Sequence, residues 1–550
     1  MNFINDAVIY NIYPLGFFGA PHRNDFELTY RLDKIYDFIP HFKKMGINTI
    51  LFNPVFESTC HGYDTIDYRK IDSRLGDNAS FKKICDTLHE NGIRILLDGV
   101  FNHVGRDFFA FKDIQQNGMS SIYTNWFHNI RFDRMSAKGD NFSYEGWAGH
   151  YDLVKLNLQN NEVCDYLLDS VKFWIDEFDI DGLRLDAADC VDIEFFKKLR
   201  YTCKSKKPDF WLFGEIVSGD YNRWANAETL DSVTNYEVFK ALFSCHNDKN
   251  YFEFAHSVDR QFGDWGLYKN LYLYNFADNH DVTRVASQIR DKELLCNLYT
   301  LLFTMPGVPS IYYGSEFAIE GKVQNHSDKD VRRELNLNSL ETPDMRLFEH
   351  ICKLSKIKHS LEAFKYGKYK NENIQLESLC YSMKTEGQSV FVLLNQSGET
   401  RNIGFNTGFN GVLTDVLNNN AKYDCNGYFS IDVEPKTSKI LIANDGSFAI
   451  NFDEDYSICV ENNSVEENTP IQLFDIEDEE EIEAGAKYRH FKGNEYEVVG
   501  FAKDSETLQK MVIYKALYGE HELWVRPYDM FKETIERDGK TIKRFCKIDN

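Results

Sequence analysis

The 550-residue sequence has no long apolar run and no leader-like start. Nowhere do about 18 uncharged apolar residues follow one another, which is the length that a membrane-spanning helix needs. Residues 1–6 also lack the basic and apolar regions of a secretory signal peptide. We therefore expect no membrane partner and a cytoplasmic location.

Paired cysteines and a positive charge excess are missing as well. The twelve cysteines occur singly, without a C-x-x-C pair or a histidine-rich tract, so we interpret them as reduced thiols and expect no zinc site. The net charge of -24 argues against nucleic acid as a partner, because that partner requires a basic face. The negative charge does not exclude an uncharged substrate.

What the sequence does have is a regular alternation of apolar strands and amphipathic helices from residue 7 to about 360. Strands are predicted at residues 7–14, 47–52, 93–98, 180–186, 210–215, 231–236, 271–277 and 309–313. Helices are predicted at residues 32–44, 78–91, 161–177, 192–204, 292–304 and 346–359. Continuous apolar strands between helices indicate a parallel sheet that is covered on both faces. Eight such units predict a (β/α)₈ barrel rather than an open sheet.

The remaining sequence divides into further segments. The connection after the third strand is too long for a plain loop and is typical of a functional insert. Beyond residue 365, short alternating runs separated by Asn and Gly turns predict an antiparallel β-sandwich. We expect a barrel at 1–102 and 155–365, an inserted subdomain at 103–154, a β-sandwich at 366–446, an acidic linker at 447–486 and a small β-rich domain at 487–550.

Charged residues stand at the carboxyl ends of several predicted barrel strands. They are Asp98 and His103 after strand three, Arg184 and Asp186 on strand four, Glu215 after strand five, and His280 and Asp281 after strand seven. Each has an ordinary structural interpretation as a turn, cap or ion-pair residue. Carboxylates gathered at one barrel mouth, however, repel one another and destabilise the fold, so a purely structural role does not explain the cluster and a catalytic or binding role does. The ends of these strands are also where barrel enzymes place their active sites.

Two of these carboxylates are predicted to lie in different surroundings. Arg184 and Asp186 are two residues apart on a strand, so both point to the same side, and the guanidinium should keep Asp186 ionised by lowering its pKa. Glu215 follows an apolar run, and an apolar surround would raise its pKa. One ionised and one protonated carboxyl are the apparatus of glycoside hydrolysis. Asp281 would be a third carboxylate that holds sugar hydroxyls.

These motifs, in this order, resemble those of the α-amylase superfamily, glycoside hydrolase family 13. They are the stretch 98–103, Gly-Leu-Arg-Leu-Asp at 182–186, Gly-Glu-Ile at 214–216 and Asn-His-Asp at 279–281. The resemblance covers about residues 7–445. It implies that Asp186 is the nucleophile, Glu215 the general acid/base and Asp281 the transition-state stabiliser of a retaining reaction on α-glucosidic bonds.

The same resemblance implies residues that hold the substrate. Asp98, His103, Arg184 and His280 would surround the sugar in subsite −1, and Tyr63 would be its stacking platform. Asp328 and Arg332 resemble the pair that binds the next sugars on the non-reducing side. A planar ring suits the apolar face of a pyranose, although an aromatic ring is more often part of the core.

Residues 153–157, Leu-Val-Lys-Leu-Asn, resemble the M-P-K-L-N motif of the neopullulanase, cyclomaltodextrinase and maltogenic amylase group, with Leu153 and Val154 replacing methionine and proline. That group usually carries an additional N-terminal β-domain. Because the first predicted strand begins at residue 7, we expect that domain to be absent, and the oligomeric state stays open. The segment from Tyr488 onward resembles a small bacterial domain of unknown function.

The same resemblance to the amylases argues against a bound calcium ion. Amylases with the common calcium site use an asparagine, matched by Asn102, and a histidine four residues after the nucleophile, where this chain has Cys190. Calcium prefers oxygen ligands, which a thiol does not supply. We therefore expect no metal and no cofactor.

The sequence predicts an intracellular α-glucan hydrolase that cleaves α-1,4 bonds of maltodextrins, with cyclodextrins and pullulan fragments as further candidate substrates. One alternative is a transglycosylase of the same family, in which a sugar hydroxyl replaces water. Another is a non-catalytic, glycan-binding homologue.

Overall fold

The computed structural model describes residues 3–324, 327–340, 342–452, 482, 484–490, 494–503, 510–517, 523–532, 534–537 and 540–548. The chain forms two compact units, Met1–Val460 and Glu461–Asn550. Most of the predicted acidic linker, residues 453–481 and 483, lies outside the described residues. No helix in the described part of the chain is both long and apolar enough to cross a membrane.

The first unit alternates strands and helices along its first two thirds and contains strands alone near its end. Its strands are β1 (Ile9–Ile12), β2 (Thr49–Phe52), β3 (Phe56–Ser58), β4 (Thr65–Ile71), β5 (Arg94–Gly99), β6 (His103–Gly105), β7 (Gly146–Trp147), β8 (His150–Lys155), β9 (Gly182–Leu185), β10 (Trp211–Gly214), β11 (Ser232–Val233), β12 (Tyr274–Phe276), β13 (Val308–Tyr312), β14 (Lys368–Ile374), β15 (Ser378–Lys384), β16 (Ser389–Asn395), β17 (Arg401–Asp415), β18 (Ala421–Val433) and β19 (Thr437–Asn444). Its α-helices are α1 (Pro14–Phe17), α2 (Ile39–Lys44), α3 (Asn78–Glu90), α4 (Phe109–Asn117), α5 (Asn161–Phe178), α6 (Ile193–Lys206), α7 (Tyr236–Asn247), α8 (Tyr251–Phe262), α9 (Val285–Gln288), α10 (Leu295–Thr304), α11 (Met345–Ser360) and α12 (Ala363–Tyr366).

Eight parallel strands form the barrel, in the order β11-β10-β9-β5-β2-β1-β13-β12. A bridge between Thr234 and Tyr274 joins the two ends of this sheet, and the Asn235 amide donates to the Tyr274 carbonyl at 2.9 Å. Most of the strand residues are buried on both faces, which explains why the strands are continuously apolar in sequence. The predicted (β/α)₈ barrel is confirmed.

Some predicted elements differ from those observed. The sixth strand is only Ser232–Val233, because Asn235 caps the helix that begins at Tyr236 and so ends the extended chain. The helix predicted at 32–44 is a 3₁₀ segment, Arg31–Phe38, followed by α2. Pro40 lies in the first turn of α2, where a missing backbone N–H costs nothing.

The insert after β5 forms a small sheet in the order β6-β8-β7, together with α4. Its hairpin between β7 and β8 turns through Ala148 (φ 47°) and Gly149 (φ 84°), a positive-φ pair that suits a tight two-residue turn. Because β5 ends at Gly99, at the carboxyl edge of the barrel sheet, the insert starts at the barrel mouth.

The strands after α12 form one six-stranded antiparallel sheet, in the order β14-β15-β16-β19-β17-β18. One face has its own apolar core, which includes Phe391, Phe405 and Leu413. Side chains such as Val392 and Ile440 join the main core that includes the barrel. The predicted antiparallel fold after the barrel is confirmed.

The second unit is β-rich, as predicted. Its described elements are β20 (Lys487–His490), β21 (Glu495–Lys503), β22 (Lys510–Ala516), β23 (Leu523–Pro527), α13 (Tyr528–Lys532), β24 (Thr534–Arg537), β25 (Lys540–Lys543) and β26 (Phe545–Lys547). The order β23-β22-β21-β20-β26 defines a five-stranded sheet. Its core is aromatic, with Tyr488, Tyr514, Phe531 and Phe545 packed together.

Candidate active site

Arg184 is the centre of the charge cluster at the barrel mouth. Its Nη1 lies 2.5 Å from Asp98 Oδ2 and 3.1 Å from Asp186 Oδ1, and its Nη2 lies 2.8 Å from Glu215 Oε2. The arginine and Asp98 side chains are almost fully buried. One guanidinium therefore binds carboxylates that come from three neighbouring barrel strands.

The backbone explains this convergence. Strands β5, β9 and β10 are adjacent and parallel, so their carboxyl ends lie at one edge. The Asp186 amide donates to the Gly99 carbonyl at 3.1 Å, and the Glu215 amide donates to the Leu185 carbonyl at 2.9 Å. The chain turns sharply after Asp186, where Ala187 has a φ of 44°, and the Ala187 amide points at Glu215 Oε2 over 3.3 Å.

The electrostatics of the pair differ from the sequence prediction. Burial raises the pKa of Asp186 well above its ordinary value; Arg184 opposes this shift, whereas the nearby Glu215 and Asp98 carboxylates add to it. The prediction that Arg184 makes the net shift downward is therefore wrong. The predicted apolar surround of Glu215 is also wrong, since Arg184, Ala187 and the Tyr236 hydroxyl, at 3.4 Å, all point donors at its oxygens.

Asp281 faces a different set of partners. Its Oδ2 lies 2.9 Å from His280 Nε2, and its Oδ1 accepts a hydrogen bond of 2.8 Å from Arg332 Nη2. Burial acts to raise the pKa of Asp281, but His280 and Arg332 outweigh it and hold that pKa far below the usual range. Arg332 also bridges to Asp328 Oδ2 at 2.6 Å. The predicted Asp328–Arg332 pair is thus tied directly to the third carboxylate.

Tyr63 and His103 complete the floor of the site. The Tyr63 hydroxyl donates to Asp98 Oδ2 at 2.9 Å and contacts His280 Nε2, whose ring is parallel to that of Tyr63. His103 Nε2 lies 3.9 Å from Asp186 Oδ2. Burial lowers the pKa of His103 to about 3, so its imidazole is neutral at physiological pH.

Several buried polar atoms in this floor have no hydrogen-bond partner among the described residues. They are Asp98 Oδ1, His103 Nε2 and His280 Nδ1. Buried polar atoms are normally paired, so the packing of the described residues leaves part of the hydrogen-bonding capacity of this floor unused.

The site opens into a cavity of about 1390 Å³. The predicted site residues that line it are Tyr63, His103, Asp186, Glu215, Asp281, Asp328 and Arg332. Asp98, Arg184 and His280 are buried behind them and hold the lining residues in position. The structure therefore brings all predicted site residues to one place.

Other residues of the site were missed by the sequence analysis. Tyr13 stacks on His280 at 5.9 Å, Asn53 donates to Asp98 at 3.1 Å, and Trp147 stacks on His103 at 5.4 Å. Tyr236 links Glu215 to Asn279, whose Nδ2 donates to the tyrosine hydroxyl at 3.3 Å. Asn53 and Tyr13 each directly follow a barrel strand, so their positions at strand ends could have identified them as site residues. Trp147 lies in the insert, where no strand pattern in the sequence indicates a position at the site.

Asn102 and Cys190 occupy the positions of the calcium ligands in related amylases, and together their side chains offer one unpartnered oxygen. Asn102 Nδ2 bonds to His103 Nδ1 at 3.1 Å, and Asn102 Oδ1 is buried with no partner in the described chain. Cys190 is exposed, and its side chain offers a thiol where calcium prefers an oxygen. No group of three or more His, Cys, Asp or Glu side chains suited to a metal ion occurs among the described residues. Calcium needs six to eight oxygens, so this arrangement does not fit it.

A parallel barrel places its active site at the carboxyl ends of the strands, and neighbouring carboxyl groups there suit glycoside hydrolysis. Comparison with known families agrees. The alpha amylase catalytic domain matches residues 12–346, and a family of unknown function, DUF1653, matches residues 486–547. The chain belongs to the alpha-amylase family, as its motifs predict.

Individual relatives support the same grouping. A cyclomaltodextrinase from a Bacillus species is 31% identical over 413 residues, covering 71% of this chain and 73% of that protein. Neopullulanase 2 from Thermoactinomyces vulgaris is 31% identical over 461 residues, covering 79% of this chain and 77% of that protein. A solved cyclomaltodextrinase structure is similar with a TM-score of 0.72 at 26% identity, covering 80% of this chain and 78% of that chain.

Proposed function

We propose that the protein is a cytoplasmic, retaining α-glucan hydrolase that cleaves α-1,4-glucosidic bonds of short maltodextrins, with cyclodextrins and pullulan fragments as further substrates. The observation that carries this proposal is the Arg184 guanidinium bound to both Asp186 and Glu215 at the cavity floor. The relatives include proteins named cyclomaltodextrinase and neopullulanase, which supports an α-glucan as the substrate class.

In the first step, an oxygen of Asp186, whose ionised form Arg184 favours against the effect of burial, attacks C1 of the sugar above Tyr63. A protonated Glu215 gives its proton to the glycosidic oxygen. The C1–O bond breaks, and the glycosyl group is held as an ester on Asp186. Asp281, whose pKa lies far below the usual range, stays ionised and stabilises the positive charge that develops on the ring. His103, which lines the cavity, binds a sugar hydroxyl, whereas Asp98 and His280 lie behind the lining and hold Arg184 and Asp281 in place.

In the second step, Glu215 takes a proton from water, and the resulting hydroxide attacks C1 from the side that the leaving group vacated. The ester bond breaks and Asp186 becomes a carboxylate again. Two inversions give net retention. Asp328 and Arg332 extend the charged wall from Asp281 along the cavity, and the family resemblance assigns them to the next sugar on the non-reducing side.

The proposal is tested by following maltotriose cleavage by proton NMR. The anomeric signals of the new reducing end are expected to show the α form first, with the β form appearing only through mutarotation. A β form that appears first would overturn the double-displacement mechanism, and no cleavage of maltotriose, β-cyclodextrin or pullulan would overturn the hydrolase itself.

We also propose that the reaction needs no calcium, because Asn102 Oδ1 alone cannot form the six to eight oxygen contacts of a calcium site. Dialysis against EDTA is expected to leave both the maltotriose cleavage rate and the Tm unchanged. The measurement is an activity assay and a thermal melt on the same dialysed sample. A loss that added Ca²⁺ restores, and that Asn102→Ala makes permanent, would contradict this expectation.

A further inference from the structure

Arg74 is a fully buried arginine outside the charge cluster at the barrel mouth. Its Nε and Nη2 bind the two carboxylate oxygens of Asp72, at 2.8 Å and 2.7 Å. Its Nη1 instead donates to three backbone carbonyls, those of Pro21 at 2.9 Å, His22 at 2.9 Å and Cys60 at 2.7 Å. A planar guanidinium can bind a carboxylate on one edge and carbonyls on the other, which the single nitrogen of a lysine cannot do. Arg74 therefore joins two distant chain segments at one atom.

The joined segments are residues 19–22 and 60–61, here called the clamped segments, and all but one of the clamped residues belong to the lining of the catalytic cavity or directly adjoin it. The backbone amide of Asn24 adds a further bond to the Thr59 carbonyl, at 2.9 Å. Together with the buried guanidinium, this bond fixes the backbone on both sides of His22. The clamped segments therefore form a wall of the cavity that the rest of the fold holds in place.

Contacts with the loop that carries Arg332 show where this wall lies. A Cβ on Gly16 would lie 2.2 Å from the Arg332 carbonyl oxygen, so the chain just before the wall packs directly on that loop. The Arg332 guanidinium lies over the Tyr13 ring, 4.6 Å from its centre, and the Tyr13 hydroxyl donates to the His61 carbonyl at 2.9 Å. The clamped segments therefore lie beside the Asp328–Arg332 pair, which lines the same cavity.

His22 is the exposed polar side chain of this wall. A neutral imidazole carries one donor and one acceptor nitrogen, and sugar hydroxyls can bind to both kinds of group. Its electrostatic neighbours agree with the position beside Arg332. Burial lowers the pKa of His61 and Asp64 opposes this shift, whereas Arg332 and His22 add to it, so both cations lie within reach of the same ring.

We propose that His22 contacts the sugar that follows the reacting ring on the non-reducing side, and that Arg74 is the positioning residue that holds it there. This inference rests on the proposed function, which assigns that sugar to the neighbouring Asp328–Arg332 pair. It gives the enzyme a specificity. A substrate with two sugars on the non-reducing side of the scissile bond is cleaved in preference to a substrate with one, because only the longer substrate reaches His22.

The test compares two substrates with the same leaving group. α-Maltosyl fluoride places one sugar above Tyr63 and a second beside His22, whereas α-glucosyl fluoride supplies only the first. Arg74→Lys keeps a charge next to Asp72 but cannot hold three carbonyls. It is expected to lower kcat/KM for α-maltosyl fluoride about tenfold, through a higher KM at unchanged kcat, and to leave that for α-glucosyl fluoride unchanged. His22→Ala should give the same pattern.

Matched variants separate this role from a structural one. Asp181→Asn breaks an ion pair of 3.2 Å with Arg94 at the opposite, amino-terminal end of the barrel strands, so it should lower the Tm without changing the ratio of the two kcat/KM values. Arg23→Ala removes an exposed side chain that is not among the described residues lining the cavity, and it should match wild type. If Arg74→Lys fails to fold, His22→Ala decides the question, because His22 is exposed.

Equal losses on both fluorides in Arg74→Lys, or no loss on either, would overturn the positioning role. A His22→Ala variant that keeps the wild-type preference for α-maltosyl fluoride would overturn the sugar contact. Failure of the proposed function looks different, because wild-type protein would then release fluoride from neither substrate.

Discussion

Replacing Asp186 by Asn is expected to lower the release of reducing sugar from maltotriose by on the order of 10⁴-fold. An amide cannot form the glycosyl ester, and the substitution removes the charge that stabilises the ring cation. Arg184 keeps its bonds to Asp98 and Glu215, so the rest of the charge cluster stays in place. The measurement is a reducing-end assay at equal protein concentrations, with long incubation for the variant.

The matched control is Asp189→Asn. Asp189 is exposed, lines the same cavity three residues further along the chain, and carries the same charge, but has no place in the proposed chemistry. Its loss should leave activity close to wild type. Substantial activity in a folded Asp186→Asn variant would mean that another group is the nucleophile.

The stability of Asp186→Asn provides an internal check that the activity loss is not unfolding. Because burial raises the pKa of Asp186 in the folded state, the protonated form stabilises the fold below the unfolded pKa, and that contribution is lost as pH rises through the folded pKa. Asn resembles the protonated form. The variant should therefore have a higher Tm than wild type at pH 7, and the difference should shrink at acidic pH.

The sequence was sufficient for the topology and for the charged residues that meet at the barrel mouth, whereas Tyr13, Asn53, Trp147 and Tyr236 were missed. Parallel strands end at one edge, so residues at the ends of predicted strands, such as Asp98, Arg184 and Glu215, could be expected to meet. The direction of the Asp186 pKa shift could not be predicted in the same way, since it depends on how deeply the carboxyl is buried and on how many other carboxylates share Arg184.

Two further features escaped prediction for different reasons. Trp147 belongs to an insert whose shape has no periodic sequence signal, and its position near His103 follows from the hairpin's placement at the barrel mouth. The sixth strand was predicted too long because a local helix cap at Asn235 overrides the extended preference of the preceding residues. Tertiary structure decides the first feature, and a side-chain cap decides the second.

Glu215→Gln is expected to separate the two steps of the proposed reaction. Cleavage of maltotriose should fall by about 10²–10⁴-fold, because the glycosidic oxygen must leave without a proton. Fluoride leaves without protonation, so α-maltosyl fluoride should still form the ester on Asp186. Without a base to activate water the ester should then accumulate, and mass spectrometry of the denatured protein measures it as an added maltosyl group.

Azide tests whether the missing group is a proton acceptor. As an anion it attacks C1 without a base, so it should speed turnover of α-maltosyl fluoride by Glu215→Gln and yield maltosyl azide in the α configuration. Asp281→Asn is the comparison variant: Asp281 transfers no proton in the proposed reaction, so its loss should slow both substrates and azide should not restore the rate. Equal losses on both substrates in Glu215→Gln, with no response to azide, would show that Glu215 stabilises charge instead of moving a proton.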